Sequence, residues 1–304
     1  MYKPNICVLG GTGFVGRRLT SLLAKQGCRV SILTRHRERN RDMLVRPGVS
    51  VIQGDIYDPE VLDTHFHGSD AIINLVGILN ESSSRNQDFH RAHVELTELV
   101  VEATVRSGVM RLLHMSACNA SADGPSEYLR TKGAAENLLH MRAMQGDYDV
   151  TIFRPSVIFG PGDGFTRRFA TLLRQIPVAF PLACPESRLQ PIHVDDVAAC
   201  FAGAIDNPRA FGQIYNLCGP QCYTLYEIVR LIVDAIGVRK KIIRLSDPQA
   251  RLQASVLQWF PGKPFTPDNY KSLQVDSVCS DSFPEVFNIV PQAMEDTLSA
   301  YLNA

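Results

Sequence analysis

The chain has 304 residues, with 31 lysines and arginines against 31 aspartates and glutamates. That length builds one large domain or two lobes around a sizeable core. The balanced charge gives no support for a general nucleic-acid or anionic-membrane binder, and no run reaches the ~18 to 20 apolar residues that cross a bilayer.

From the N-terminus, Ile6 to Leu9 is an apolar run that suits a buried strand, and it breaks into Gly10, Gly13 and Gly16. Val15, Leu19, Leu22 and Leu23 then follow one helix face, Gly27 marks a C-cap, and residues 29–33 read as the next strand. A strand, a glycine turn and a helix opening toward that turn make an anion site, because backbone N–H groups and the positive helix end face a pyrophosphate. The G-x-x-G-x-x-G spacing inside this βαβ unit predicts a dinucleotide site, with Gly10, Thr12, Gly13, Phe14, Val15 and Gly16 as its residues.

Further along, 49–52 is a short strand ending at Gly54-Asp55, and Asp58 with Pro59 starts a helix as N-cap and first position. Residues 70–77 read as a buried strand, 89–107 as a helix, 111–116 as a strand, 128–144 as a helix and 149–153 as a strand. Strands alternating with helices imply a doubly wound parallel sheet covered on both faces, a Rossmann α/β fold. From Gly160 the pattern changes: loop, a helix at 165–174, an irregular proline-rich stretch at 177–191, and a helix capped by Asp195. A strand at 212–217, a helix at 224–237 and a last helix near 291–302 complete it. The reading assigns 1–158 to the dinucleotide domain and 159–304 mostly to a smaller C-terminal α/β substrate lobe, with 190–217 returning to the first domain.

The eight cysteines, at 7, 28, 118, 184, 200, 218, 222 and 279, contain no C-x-x-C pair. Cys7, Cys28 and Cys200 sit in apolar runs and read as reduced thiols. Cys218 and Cys222 are the closest pair, with no third ligand nearby in the sequence. The pattern predicts no metal, no disulfide framework and a reducing compartment, and the start lacks a signal-type apolar core, so the expected location is cytoplasmic or a matrix-like space.

After the second strand, where an acidic residue would hold the adenosine ribose of NAD, this chain has Thr34-Arg35-His36-Arg37. An arginine fork suits a phosphate, so NADP(H) is favoured, with NAD(H) as the alternative. Asp55 and Ile56 are placed at the adenine edge, and Asn74, Leu75, Val76 and Gly77 at the nicotinamide-side ribose. Tyr128 and Lys132 lie one turn apart on a helix face. An ammonium beside a phenol lowers its pKa from about 10 and can also reach ribose hydroxyls. Ser116, at a strand end, completes a trio that orients a carbonyl or alcohol beside the phenol.

These residues resemble a short-chain dehydrogenase/reductase of the extended or atypical kind, in the epimerase/dehydratase branch, along nearly the whole chain. The likeness includes the glycine turn, Gly54-Asp55, Ser116 with Tyr128 and Lys132, the segment 154–162 and the segment 190–197. It implies that Pro155 and Val157 flank the nicotinamide. A narrower likeness, carried by 114–120, 128–136 and 273–278, is to the NADPH-binding accessory subunit of respiratory complex I and its bacterial relatives. The resemblance implies an NADP(H)-dependent oxidoreductase acting on a small carbonyl or alcohol substrate. The alternative it implies is an NADPH-holding structural or sensing protein, at the periphery of an inner membrane, with a respiratory-complex or quinone-pathway partner. A nucleotide-sugar epimerase or dehydratase ranks third, because Ser116 and Tyr128 lie close in sequence and 119–126 offers no sugar-nucleotide contacts.

Other residues read as structural. His90 and His93 lack a third ligand; Asp195 and Asp196 read as an N-cap and a lobe-joining hydrogen bond. Trp259 and Phe260, beside Pro261, read as second-lobe core, and Arg167, Arg168 and Arg188 either grip an anionic substrate or face solvent.

Overall fold

A computed structural model of the chain describes residues 3–81, 88–260 and 262–303, so Pro261 lies outside the described residues. The first half alternates β1 (Asn5–Leu9), α1 (Phe14–Lys25), β2 (Arg29–Thr34), α2 (Arg41–Leu44), β3 (Val49–Gln53), α3 (Pro59–Phe66) and β4 (Ala71–Asn74). It continues with α4 (Leu96–Arg106), β5 (Arg111–Met115), α5 (Glu127–Ala143) and β6 (Asp149–Pro155). Beyond it lie β7 (Ile158–Phe159), α6 (Phe165–Gln175), β8 (Ala179–Leu182), β9 (Arg188–Leu189), β10 (Ile192–His193), α7 (Val194–Ala204) and β11 (Ile214–Leu217). The chain ends through β12 (Tyr223–Thr224), α8 (Leu225–Ala235), β13 (Lys241–Arg244), α9 (Asp247–Leu257), α10 (Pro267–Ser272) and α11 (Met294–Leu302).

Seven strands form one parallel sheet in the order β11-β6-β5-β4-β1-β2-β3. The order reverses between β1 and β4, and ligands of such sheets bind in the crevice at that switch point. Both faces are buried, which is why β1 is apolar from Ile6 to Leu9. Ile6 and Val8 pack into the core under α1 and α7, while Cys7 and Leu9 enter the core under α3 and α4. Leu19 and Leu23 on α1 are fully buried, contributing about 1.5–3 kcal/mol each. The helix ends where Gly27 (φ +89°) donates to Ala24 and Cys28 to Leu23, leaving β2 to start at once. Asp58 accepts from Glu60 N–H with Pro59 at the first position, so α3 starts as its sequence predicts. A third core, including Phe159, Leu173, Ile228, Ile232 and Leu298, belongs to the C-terminal elements.

Four expectations need correction. The strand expected over 70–77 stops at Asn74, because Asn74 Oδ1 takes the Val76 N–H and turns the chain out of the sheet. The helix at 89–107 contains a wide π turn over Arg91–Glu95 before α4. The N-cap of α7 is His193, whose ring accepts from Asp195 N–H; Asp195 pairs instead with Arg18, and Asp196 holds Gln292. The stretch 177–191 carries β8, paired with β13, and β9, paired with β12.

Trp259 and Phe260 are also not core: they are 84% and 55% exposed. The inward stripe of α9 is Ala250 and Ala254 against Tyr270, so its large residues, Leu252 and Val256 among them, face outward. Among the described residues, no helix is long and apolar enough to cross a membrane.

Candidate active site at the sheet's switch point

The glycine turn after β1 is closely packed against its neighbours. A Cβ on Gly10 would lie 3.0 Å from the Leu75 carbonyl carbon and 3.1 Å from Val76 N. On Gly16 it would lie 2.3 Å from Gly10 O and 2.6 Å from Gly11 Cα, so only glycine lets α1 approach the turn. Gly13 caps α1 without a side-chain hydrogen bond, and no acidic residue occupies the first turn. The N–H groups from Phe14 onward thus face the turn beside Thr12, whose carbonyl takes Arg17 Nε at 2.9 Å. Phe14 is half-buried and Val15 buried, and both anchor the helix start in the core.

At the end of β2, Thr34 is half-buried and its hydroxyl accepts from His36 N–H at 3.3 Å, while Arg35 is exposed, its side chain in no hydrogen bond or ion pair among the described residues. Arg37 is committed elsewhere, donating Nε to Val51 O at 3.1 Å. Asp55 accepts from Tyr57 N–H at 3.1 Å, with Ile56 half-buried between them. On the other side of the turn, Leu75 N donates to Leu9 O, and Val76 and Gly77 lead into the site. A Cβ on Gly77 would lie 3.2 Å from Lys132 Nζ.

Ser116 follows β5, where its N–H donates to Phe153 O at 2.7 Å. Its hydroxyl is buried with no hydrogen-bond partner among the described residues. Ser126 caps α5 by accepting from Leu129 N–H, which places Tyr128 in the first turn and Lys132 one turn below it. Lys132 is buried and donates Nζ to Met115 O at 2.9 Å. Burial holds its pKa down to about 8, partly opposed by Glu136. The Tyr128 ring stands edge-on to His93 and Phe89 at 5.6 and 5.9 Å. Its phenol is pushed up to about 12 by burial, with no lowering from Lys132, so the activation expected from the pair is not expressed in this arrangement. Pro155 closes β6 and accepts from Cys118 N–H, and the Val157 carbonyl accepts from Ile192 N–H.

Two histidines complete the wall. His93 Nε2 accepts from Ile78 N–H at 3.3 Å, and its Nδ1 meets Thr131 Oγ1 at 2.9 Å, tying the loop after β4 to α5. His114 Nδ1 meets Asn74 Nδ2 at 3.3 Å, while its Nε2 has no partner. His93 lies in the π turn, three and four residues before the buried Leu96 and Thr97, and shares their inward face. The only signal in the sequence is a histidine on an otherwise apolar helix face. His90, three residues earlier, is exposed and pairs with Glu95 at 3.4 Å.

Burial lowers the His93 pKa to about 2, with Lys132 adding to the effect, and lowers His114 well below the usual value. Both stay neutral when folded, whereas they protonate near 6.5 when unfolded. Below that pH the unfolded chain binds more protons, so stability falls as pH drops, by about 1 kcal/mol per pH unit for each ring. Urea melts at pH 7 and pH 5 should show this loss, and His93→Gln should reduce the slope. An unchanged slope would remove His93 as its source.

The cysteines depart from expectation. Cys218 and Cys279, separated by 61 positions, form a disulfide with Cα atoms 6.0 Å apart. Cys118 joins them, and the three sulfur atoms lie within 4.8 Å of one another. Sequence spacing cannot show a cluster that three distant segments assemble. Cys7 and Cys200 are buried free thiols and Cys28 is half-buried. Arg167, Arg168 and Arg188 are exposed, and Arg168 donates to Pro264 O at 3.3 Å.

The profile of the NAD dependent epimerase/dehydratase family matches residues 6–218, from β1 to the end of β11. The chain belongs to that family. This epimerase/dehydratase protein is 28% identical over 290 residues to the Arabidopsis thaliana mitochondrial NADH dehydrogenase [ubiquinone] 1 alpha subcomplex subunit 9, covering 90% of this chain and 71% of that one. It covers 59% of the rat counterpart. It is 29% identical over 246 residues to the ceramide reductase of Caulobacter vibrioides, covering 80% and 74% of the two chains. The structure of the Escherichia coli NADPH-dependent quinone oxidoreductase QOR2 shares the fold, with a TM-score of 0.76 at 17% identity over 97% of this chain and 99% of that one. An NAD dependent family takes a nicotinamide dinucleotide, and the glycine turn, the uncapped α1 and the orphaned Ser116 hydroxyl fit one.

Proposed function

We propose that this protein is an NADP(H)-dependent oxidoreductase that interconverts a carbonyl and an alcohol. The observation that carries the reading is Ser116, a buried hydroxyl without a partner, flanked by Met115, whose carbonyl holds Lys132 Nζ. A buried polar group left unpaired costs about 1–3 kcal/mol, and a substrate oxygen would offset that cost. The bound dinucleotide supplies hydride exchange at C4 of its nicotinamide. Ser116 holds the substrate oxygen, the Tyr128 hydroxyl gives or takes its proton, and the Lys132 ammonium holds a ribose hydroxyl. His93 keeps Gly77 and Ile78 against α5, so the loop beside the ribose stays in place.

The exposed, uncommitted Arg35 supports NADP(H) over NAD(H). An arginine–phosphate contact is worth on the order of 1.5–3 kcal/mol. Arg35→Ala should therefore weaken NADPH binding at least about tenfold and leave NADH nearly unchanged. Calorimetric titration of both cofactors checks this, and equal affinity of the unmutated protein for the two removes the preference. The reaction class is tested by mass spectrometry of the copurifying dinucleotide, followed by a turnover screen with ketones, quinones and sugar nucleotides. Oxidation of NADPH by a ketone or quinone supports the reading; conversion of a sugar nucleotide without net cofactor consumption overturns it.

A second reading rests on the cover over Tyr128. The Asp268 carboxylate accepts from Glu127 and Tyr128 N–H at 2.7 and 3.3 Å, Asn269 donates to Leu79 O, and Ser272 donates to Ser126. A site closed in this way, with a phenol near 12, suits a protein that holds NADPH as a structural or sensing ligand. The complex I relatives favour a respiratory or quinone-pathway partner for it, at the periphery of an inner membrane.

A further inference from the structure

Three cysteines from distant segments meet beyond the carboxyl edge of the sheet. Cys118 lies two residues after Ser116, Cys218 directly follows β11, and Cys279 lies on the strap that leads away from α10. Cys218 and Cys279 are bonded, while Cys118 is a buried free thiol with its sulfur within 4.8 Å of both partners. The strap is held by more than the disulfide. Asn119 Nδ2 donates to Asp276 O at 2.7 Å, Ser156 Oγ to Ser277 O at 2.8 Å, and Cys279 N to Gln190 Oε1 at 3.0 Å. These contacts keep Cys279 beside Cys118 whether or not its bond to Cys218 is intact.

Access also bears on thiol chemistry here. Cys218 forms part of the wall of a cavity of about 190 Å3, with Gly219, Asp281 and Pro291. Burial holds the Cys118 thiol above its ordinary range, and the Ser277 side chain, the Arg154 guanidinium and the Asn119 N–H offset only part of that rise. The thiolate is the attacking species in disulfide exchange.

We propose that Cys118, Cys218 and Cys279 form a redox-active thiol–disulfide site that takes a dithiol reductant and exchanges its bond internally. In the internal step the Cys118 thiolate attacks one sulfur of the Cys218–Cys279 bond. A new bond to Cys118 forms, the old bond breaks, and the departing sulfur takes up the proton that Cys118 lost. No oxidant is consumed. In the reductive step one thiolate of the dithiol attacks the bond, the second closes the reductant's own disulfide, and two electrons and two protons end on the two cysteines. Internal exchange onto Cys279 moves the strap's covalent anchor from the end of β11 to the loop that carries Ser116. The inference does not depend on the reaction assigned above.

The test uses the full chain, folded as judged by circular dichroism. Wild type, Cys218→Ser and Cys279→Ser are equilibrated in a buffer of reduced and oxidised glutathione, alkylated, and mapped without reduction. The expected result is a Cys118–Cys279 peptide from Cys218→Ser or a Cys118–Cys218 peptide from Cys279→Ser. Separately, native wild type treated with dithiothreitol should gain two alkylatable cysteines, at 218 and 279, with an unchanged spectrum. Cys118 recovered only as a free thiol or glutathione adduct in all three proteins overturns the proposal, and so does a bond that resists dithiothreitol until the protein unfolds.

Discussion

Replacing Tyr128 by phenylalanine should lower turnover by about two to four orders of magnitude, the usual share of a general acid or base. The substitution removes one hydroxyl and keeps the ring that stands edge-on to His93 and Phe89. The fold should therefore be preserved. Dinucleotide affinity should barely change, because the glycine turn and Arg35, proposed to hold the phosphates, lie at the other end of the cofactor. Single-turnover kinetics with a cofactor-loaded protein would isolate the chemical step from binding. Lys132→Ala should have broader effects, since Lys132 is buried, bonded to Met115 O and beside Gly77. It should lower both affinity and turnover. Undiminished turnover in Tyr128→Phe would eliminate the tyrosine as the proton carrier.

Gly16→Ala should abolish tight dinucleotide binding and destabilise the fold by about 1–3 kcal/mol, the usual cost of forcing a methyl into packed surroundings. The added Cβ would meet Gly10 O and Gly11 Cα, both backbone atoms, so neither can rotate away. Helix α1 has to withdraw from the turn, and its first N–H groups lose their aim at the pyrophosphate. Gly27→Ala provides the contrast. Nothing lies within 4 Å of its added Cβ, so its cost is the strain of φ +89°, about 1 kcal/mol, and the cofactor site is untouched. Thermal melts with and without NADPH distinguish the two: the cofactor-induced rise should vanish in Gly16→Ala and persist in Gly27→Ala. A persistent rise in both would show that the close approach at Gly16 is not needed for binding.

Local chemistry made much of this molecule legible from its sequence. Apolar strands with both faces buried, the Asp58 cap with Pro59, Gly27 after α1 and the glycine spacing at 10, 13 and 16 each act within a few residues. Each therefore survives the passage from chain to fold. The same holds for Tyr128 and Lys132, because an i, i+4 pair is a property of one helix. Two other local features do not follow from hydrophobic period: Asn74 ends its strand by accepting from Val76 N–H, and the chain before α4 opens into a π turn over Arg91–Glu95.

The sequence by itself determined the parallel α/β sheet, the glycine turn and the spacing of the tyrosine and lysine, because these depend on neighbours along the chain. Only the tertiary structure decided what surrounds them. It joined Cys218 to Cys279 and brought Cys118 alongside, although the sequence pattern predicts no disulfide. It turned Trp259 and Phe260 outward, because α9 packs through alanines. It also laid Asp268 across the start of α5 and buried Lys132 and Tyr128 enough to move their pKa values. Contacts between segments that are separate along the chain, and the loss of water around them, depend on how the whole chain packs, and no local pattern encodes that.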